Sequence, residues 1–380
     1  MNIVLSDNGN HAKFCPLTLT KPVGELRMGI LKISEKYQKR LFKEGIEAQL
    51  YFETEDYLQT KYPKCTASSF IWINAQVLPD KVLIQEILEL IEGEQLMKDG
   101  LLIAYHSRKD GLQKESQSMP IMIKERWDLY QQNDHALNED YNFLTHGRLS
   151  QKISSTNQIL GDRVFLEQGA KVECSILNSL SGPIYLDEDS EIMEGSVVRG
   201  GLALGKHAAL KLGTKIYGPT TIGDYSKVGG EVNNCIFQSF SNKGHDGFLG
   251  NSLIGEWCNL GADTNTSNLK NNYGAVKTYS YETGKLEQTD VTFMGLAMGD
   301  HSKCGINTMF NTATTVGVSA NVFDGGFPPK FIESFAWGAE AVFDFDKAME
   351  VAERVYERRN QELTPTDIAI LRHIFDNRTK

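Results

Sequence analysis

The sequence predicts a left-handed parallel β-helix built from hexapeptide repeats, preceded by an α/β domain and followed by C-terminal helices. Three observations predict it. Aliphatic residues return at each sixth position through the middle of the chain, strands alternate with helices before that stretch, and helical spacing takes over after Trp337. The length and composition are compatible: 380 residues with 41% hydrophobic side chains can bury a sizeable core divided over two or three domains. The expected boundaries are 1–130 for the α/β domain, 131–155 for a linker without clear period, 156–337 for the β-helix and 338–380 for the helices.

In the first domain, strands are expected at Ile3–Leu5, Ala48–Phe52 and Phe70–Ile73, and helices near Met28–Glu44 and Lys81–Met97. The repeat then cuts into sixes at Leu186, Ile192, Val198, Leu204, Leu210, Ile216, Ile222 and Val228. The fifth place of these hexads is mostly small: Ser190, Ser196, Leu202, Ala208, Thr214, Thr220, Ser226 and Val232. In a parallel β-helix each hexad makes one strand and one corner, three hexads close a triangular coil, and the aliphatic residues stack inside it. A β-sandwich or barrel is the plain alternative, but period-six regularity is not expected there. Related registers run at Leu160, Leu166 and Val172, at Ile254 and Leu260, and at Met298, Cys304, Phe310, Val316 and Val322. Gly205, Gly213, Gly223, Gly229, Gly255, Gly261 and Gly317 fall near corners, where a residue without Cβ can adopt positive φ cheaply.

The register breaks twice. Asn233–Ser252 is expected to loop out of the coil, and the Tyr-rich stretch Leu269–Val291, with a turn at Thr283-Gly284, interrupts it again. Insertions into a solenoid collect on one side, where binding often occurs. Near the end, Ala348, Val351, Ala352, Val355 and Tyr356 share one helical face. Thr364-Pro365-Thr366-Asp367 then reads as an N-cap, a first-turn proline and an early acid. These helices are expected to cap the last coils or pack beside them.

The formal charge of −10, with no basic run, argues against nucleic acid or an anionic membrane as partner. No apolar run approaches the roughly 20 residues of a membrane span and no leader pattern opens the sequence, so the expected location is the cytoplasm. The six cysteines lack paired spacing, which suggests neither a disulfide framework nor a zinc site. Most are expected to be small buried residues, and no metal-ligand set is nominated.

The stretch Ser241-Asn242-Lys243-Gly244-His245-Asp246-Gly247-Phe248-Leu249-Gly250-Asn251 leads into Leu253-Ile254-Gly255-Glu256-Trp257-Cys258-Asn259-Leu260-Gly261-Ala262-Asp263-Thr264. It resembles the acetyltransferase domain of the bifunctional N-acetylglucosamine-1-phosphate uridyltransferase/glucosamine-1-phosphate acetyltransferase family. That family has a Lys-x-Gly-His loop followed by Ile-Gly and Asn-Ile-Gly-Ala-Gly-Thr segments at the same spacing. The resemblance covers roughly residues 155 to 325 well and the N-terminal part weakly.

It implies an acetyl-CoA-dependent N-acyltransferase acting on an amino-sugar phosphate, with His245 as general base, Asn259 contacting substrate, and Ala262 and Asn268 at the coenzyme. It also implies a homotrimer with sites between subunits. A neutral imidazole suits the role, because an amine attacks a thioester only as it loses its proton. The plain alternative is a solvated loop histidine beside Asp246. Two departures bear on substrate contacts: Phe248 replaces the family's tyrosine, and Asp263 its glycine. For the phosphate, Arg199, Lys211, Lys215, Lys243 and Lys277 are candidates by charge alone.

Phe14-Cys15-Pro16-Leu17-Thr18-Leu19-Thr20-Lys21-Pro22 is similar to the Pro-Leu-Thr region of sugar-1-phosphate nucleotidyltransferases. The glycine-rich phosphate cradle of those enzymes is replaced by Ser6-Asp7-Asn8-Gly9-Asn10-His11, and Ile73-Asn74-Ala75-Gln76 lacks the magnesium-holding acid. Either the domain uses other ligands, with Asp7, Lys21 and Arg27 nominated and Mg2+ required, or it has lost transfer and keeps a binding role. A non-catalytic sugar-nucleotide-binding scaffold is the alternative for the chain as a whole.

Overall fold

A computed structural model describes residues 1–378. The N-terminal domain is a six-stranded sheet in the order Gln49–Glu53, Asn2–Ser6, Ile71–Asn74, Leu101–His106, Gln95–Lys98, Gln113–Glu115. Its first three strands are parallel, and Leu101–His106 runs antiparallel to Ile71–Asn74. Helices α1 (Ile33–Lys43), α2 (Lys81–Leu88), α3 (Asp128–Gln131) and α4 (Asn133–Thr145) complete it.

The three expected strands form, but both expected helices are shorter. The segment before Ile33 is a turn around Gly29 at φ +74, and α2 stops before Gly93 at φ +91, after which Gln95–Lys98 pairs as a strand. The stretch 131–155, expected to be a linker, contains α4. Its apolar period is masked because Asn133 and Asp140 are buried: the Asp140 carboxylate accepts from the Ile30 and Leu31 N–H groups at 2.8 and 3.1 Å and pairs with Lys36.

From residue 158 the chain winds into a left-handed parallel β-helix. A first face of nine strands, including Leu202–Leu204, a second including Ala209–Leu210 and a third including Lys215–Tyr217 form the triangular prism. The register is the predicted one: Leu186 pairs with Leu204 and Leu204 with Ile222, while Ile192, Leu210 and Val228 stack on the second face. All eight aliphatic positions from Leu186 to Val228 are at most 1% exposed, and so are the small residues from Ser190 to Val232. At roughly 1.5–3 kcal/mol for each fully buried large aliphatic side chain, this stack is the main stabilising term of the prism. Leu160 departs from expectation at 43% exposure, because its neighbour Ile159 holds the inward register opposite Leu177 in an uncovered first coil.

Two further expectations are corrected. Asn233–Ser252 does not loop out; it supplies Ile236–Phe237, Asn242–Lys243 and Phe248–Gly250, one strand to each face. Hexad spacing fails there because the corner after Val228 consists only of Gly229 and Gly230 before Glu231–Asn233 begins. Positive φ at the corners is also mostly not glycine's work. His207, Tyr225, Phe240, Trp257 and His301 occupy successive left-handed corners with φ from +55 to +64. Their rings form a stacked column, with Phe240 and Trp257 at 4.1 Å. Of the seven corner glycines singled out in the sequence, only Gly213 has a positive φ; at Gly223 a Cβ would instead lie 1.3 Å from the Gln238 carbonyl oxygen. The insertion at Leu269–Val291 is real: an antiparallel hairpin, Lys277–Ser280 with Lys285–Gln288, turns at Gly284.

The first face is buried on both sides because the N-terminal domain lies against it, with Ile236 and Leu253 joining that domain's core. Helices α5 (Phe345–Glu357) and α6 (Pro365–Asp376) pack beside the prism, not over its end. They cover Val318 and Phe335 and reach Leu58 of the N-terminal domain. Thr364 caps α6 as expected, with its hydroxyl accepting from the Asp367 N–H at 3.2 Å. Four of the six cysteines are buried, Cys65 is half-buried and Cys174 exposed. Among the described residues no helix is long and apolar enough to cross a membrane.

Candidate functional site

The second face of the prism carries a groove of about 690 Å³. Its floor is a column of outward side chains set by strand register: Lys227 pairs with Asn242, Asn242 with Asn259, and Asn259 with Lys303. The inward neighbours Val228, Leu260 and Cys304 belong to the core, so period-two alternation forces the column outward. Phe240 and Trp257 form one wall, at the aromatic corner, while Gly244, His245, Gly261, Ala262 and Ile306 form the opposite one. The end of α5 adds Val355, Arg358 and Arg359, held there by Tyr356 stacked on Trp257 at 3.9 Å and by Arg359 donating to Asn242 Oδ1 at 3.1 Å.

His245 is exposed and stands on the corner Gly244–Gly247 between the second and third faces. That corner is clamped by the next coil. Asp263 N–H donates to the Asp246 carbonyl at 3.1 Å, and Phe248 N–H to Asn265 Oδ1 at 2.8 Å. Gly247 is obligatory on two counts: φ is +112, and a Cβ would lie 2.2 Å from the Thr264 carbonyl oxygen. Below, Lys243 takes the inward register opposite Val228, only 1% exposed, and its ammonium donates to the carbonyl oxygens of Gly229 at 3.0 Å and His245 at 2.8 Å. Burial pushes its pKa down to about 8, with Asp246 partly offsetting.

Among the described residues the His245 ring makes no hydrogen bond, and the Ala262 N–H donates to no other group of the chain. The groove therefore holds an available imidazole and an available backbone donor. Its electrostatics are one-sided, with Lys211, Lys227, Lys303, Arg358 and Arg359 lining it and no acidic residue. Burial, then Arg359 and Lys211, lower the pKa of Lys227; burial, then Arg358, lower that of Arg359.

The structure thus gathers His245, Asn259, Ala262 and Lys211 in one groove and places the other nominated residues elsewhere. Lys243 is a core residue and has no open side on which to meet a phosphate. Lys215, Arg199 and Phe248 stand on the third face, Lys215 being 3.7 Å from Glu231. Asn268 donates to Asn251 Oδ1 at 2.7 Å beside Gly250, and Lys277 opens the inserted hairpin. Lys227, Lys303, Asn242, Arg358 and Arg359 were missed. Lys227 and Lys303 follow from the hexad register, since each precedes an inward position, whereas Asn242 lies where that register fails and the arginines depend on where α5 docks.

The N-terminal nominations lie apart from the groove. Asp7 is buried and saturated, accepting from the Val23 N–H at 2.8 Å and from Thr54 at 2.5 Å, with His11 Nδ1 at 2.7 Å. Lys21 lies 2.9 Å from both Glu256 and Asp300 of the β-helix, and Arg27 3.0 Å from Asp224. These cations join the two domains and are not directed at a triphosphate. Both Asp7 oxygens already accept a hydrogen bond, and no cluster of three or more His, Cys, Asp or Glu suited to a metal ion occurs among the described residues.

Comparison with known proteins agrees with this two-part organisation. Residues 3–149 match the family model described as sugar nucleotidyl transferase. The bifunctional sugar-1-phosphate nucleotidylyltransferase/acetyltransferase of Sulfurisphaera tokodaii is 26% identical over 168 residues, 44% of this chain and 41% of that protein. The bifunctional protein GlmU of Wigglesworthia glossinidia brevipalpis is 22% identical over 343 residues, 84% of this chain and 62% of that protein. The chain therefore spans less than two thirds of the length of either relative. Among solved structures, the polySia-specific acetyltransferase NeuO matches at a TM-score of 0.28 and 8% identity, covering 53% of this chain and all of that one. By sequence, then, this chain is similar to sugar nucleotidyl transferases in its N-terminal domain and, at low identity over most of its length, to bifunctional nucleotidylyltransferase/acetyltransferase proteins.

Proposed function

We propose that this protein is a transferase that moves an acyl group from acyl-coenzyme A to the amine of a phosphorylated amino sugar, with His245 as general base. One observation carries the reading: His245, Asn259 and the free Ala262 N–H line one groove whose remaining charge is entirely positive. An acid-free cationic groove fits a phosphorylated coenzyme and a phosphorylated acceptor. The coenzyme, when bound, supplies the activated thioester. His245 takes the proton released as the amine attacks and can return it to the departing thiolate, so an amide and a free thiol result. The Ala262 N–H, which lines the same groove, would donate to negative charge developing on the acyl oxygen. Asn259, on the floor between Asn242 and Lys303, positions the acceptor. Trimerisation belongs to the same proposal, and the third face, where Ile176 and Val197 are 36% and 41% exposed, is where subunits would meet.

The test is thiol release from acetyl-CoA with amino-sugar phosphates. His245→Ala should lose about 10²- to 10⁴-fold in turnover with unchanged folding, and full turnover in that variant overturns the assignment. Nucleotidyl transfer by residues 3–149 is a second reading, favoured by the family match. Pyrophosphate release from nucleoside triphosphates and sugar 1-phosphates with magnesium tests it, and the absence of release across a broad panel rejects it.

A further inference from the structure

We propose that the groove on the second face is a site for a diphosphate-bearing ligand, and that the C-terminal helices are part of it because they bring Arg358 and Arg359 over the Lys227–Asn242–Asn259–Lys303 column. This rests on the groove's charge and geometry; it deepens the acyl-transfer reading without needing His245 to act.

Five cations line the groove, and none forms an ion pair with a carboxylate among the described residues. In a chain of formal charge −10 this is an unusual concentration of unneutralised positive charge. Unpaired cations held close together destabilise the fold through mutual repulsion, so a bound anion would relieve a cost already present. Asn242 and Asn259 add amide donors between the two lysines of the column.

Size sets the ligand class. Adjacent strands lie about 4.8 Å apart, so the column from Lys227 to Lys303 extends roughly 14 Å over three rungs. One phosphate group spans little more than one rung, and its two charges leave most of the five cations unmatched. Two linked phosphates, with more charge and greater length, meet the floor lysines and the two arginines together. Arginine suits such a group through its planar fork of donors. A diphosphate could belong to the coenzyme or to a nucleotide-linked acceptor. The chemistry recognised is the same, and the test separates the two sources.

Calorimetry on the full chain with inorganic pyrophosphate and with inorganic phosphate reads the site. Pyrophosphate should bind at least tenfold more tightly, and its affinity should fall with added salt. The double variant Arg358→Ala/Arg359→Ala should weaken pyrophosphate at least tenfold while leaving the melting temperature within a few degrees. Lys227→Ala, on the floor, is the second probe should the double variant unfold. Competition by coenzyme A assigns the site to the donor, and competition by a nucleoside diphosphate sugar but not coenzyme A assigns it to the acceptor. Equal affinity for the two anions, or pyrophosphate binding untouched by both sets of substitutions, overturns the proposal. Pyrophosphate binding is read without turnover, so failure of acyl transfer and failure of this site are separate results.

Discussion

The Lys243 ammonium donates to the His245 carbonyl oxygen at 2.8 Å from inside the β-helix, so the backbone of the groove histidine is tied to a residue of the core. The same ammonium holds Gly229 at 3.0 Å, in the tight corner below. Lys243 is thus a positioning residue. Lys243→Met keeps the volume but leaves both carbonyls without their donor, and should lower the turnover of acyl transfer about tenfold or more with little change in KM. Rescue of turnover by Lys243→Arg is not expected, because a guanidinium is too large for the interior. Unchanged turnover in Lys243→Met would show that the corner is held without this contact.

Stability should also respond to pH through this lysine. Burial lowers its folded-state pKa from 10.5 to about 8. Between those values the unfolded chain binds the proton and the folded chain does not, so Lys243 makes the fold more stable as pH rises from 8 to 10.5. Below 8 the penalty for burying the charge is present in full. The shift corresponds to about 3 kcal/mol. Urea unfolding of the parent and Lys243→Met, compared at pH 7.5 and 10, isolates the effect from other titrating groups. The parent should gain on the variant at the higher pH, and parallel pH profiles would contradict a buried ammonium here.

Much of the prism was legible because its physics is local and repeated: a side chain such as Ile216 must be apolar wherever the register turns it inward, and it is 1% exposed. Lys243 broke the reading for the same reason. It occupies an inward position with a charged residue, and the tight Gly229-Gly230 corner shifts the count, so the segment looked like a loop. His245, Asn259 and Ala262 were nominated by the resemblance of the Lys-x-Gly-His loop and the segment after it, and they line one groove. Arg358 and Arg359 were not, because their place depends on the Trp257–Tyr356 stack, a contact between distant segments with no local signature. The ion pairs of Lys21 had no local signature either, since its partners Glu256 and Asp300 come from another domain.

That inter-domain pairing makes its own prediction. Lys21 is 3% exposed between Glu256 and Asp300, and Asp300 also accepts from the Thr20 hydroxyl at 2.6 Å. Although burial opposes ionisation, Lys21 and Lys32 hold Glu256 well below the usual carboxylate range. Lys21→Ala leaves the buried Asp300 and the half-buried Glu256 without their shared cation and should cost about 3–5 kcal/mol. Lys21→Ala/Asp300→Ala should cost less than Lys21→Ala alone, because one of the stranded charges is gone. Chemical denaturation of the full chain measures both, and equal losses would mean that the pair is solvated.

The corner glycines separate two physical demands. At Gly223 φ is ordinary, but a Cβ would lie 1.3 Å from the Gln238 carbonyl oxygen of the next coil, whose backbone is fixed by the Gly223 N–H bond to Phe237 at 2.9 Å. At Gly213 nothing lies within 4 Å, yet φ is +68. Gly213→Ala should therefore cost only the left-handed strain of about 1–2 kcal/mol. Gly223→Ala must push two coils apart against their shared hydrogen bonds and should cost more, about 3 kcal/mol or above. Thermal unfolding of the two variants side by side decides it. If Gly213→Ala proves the more damaging, the close approach of coils at Gly223 is relaxed in solution, and the first face is less tightly wound than its register implies.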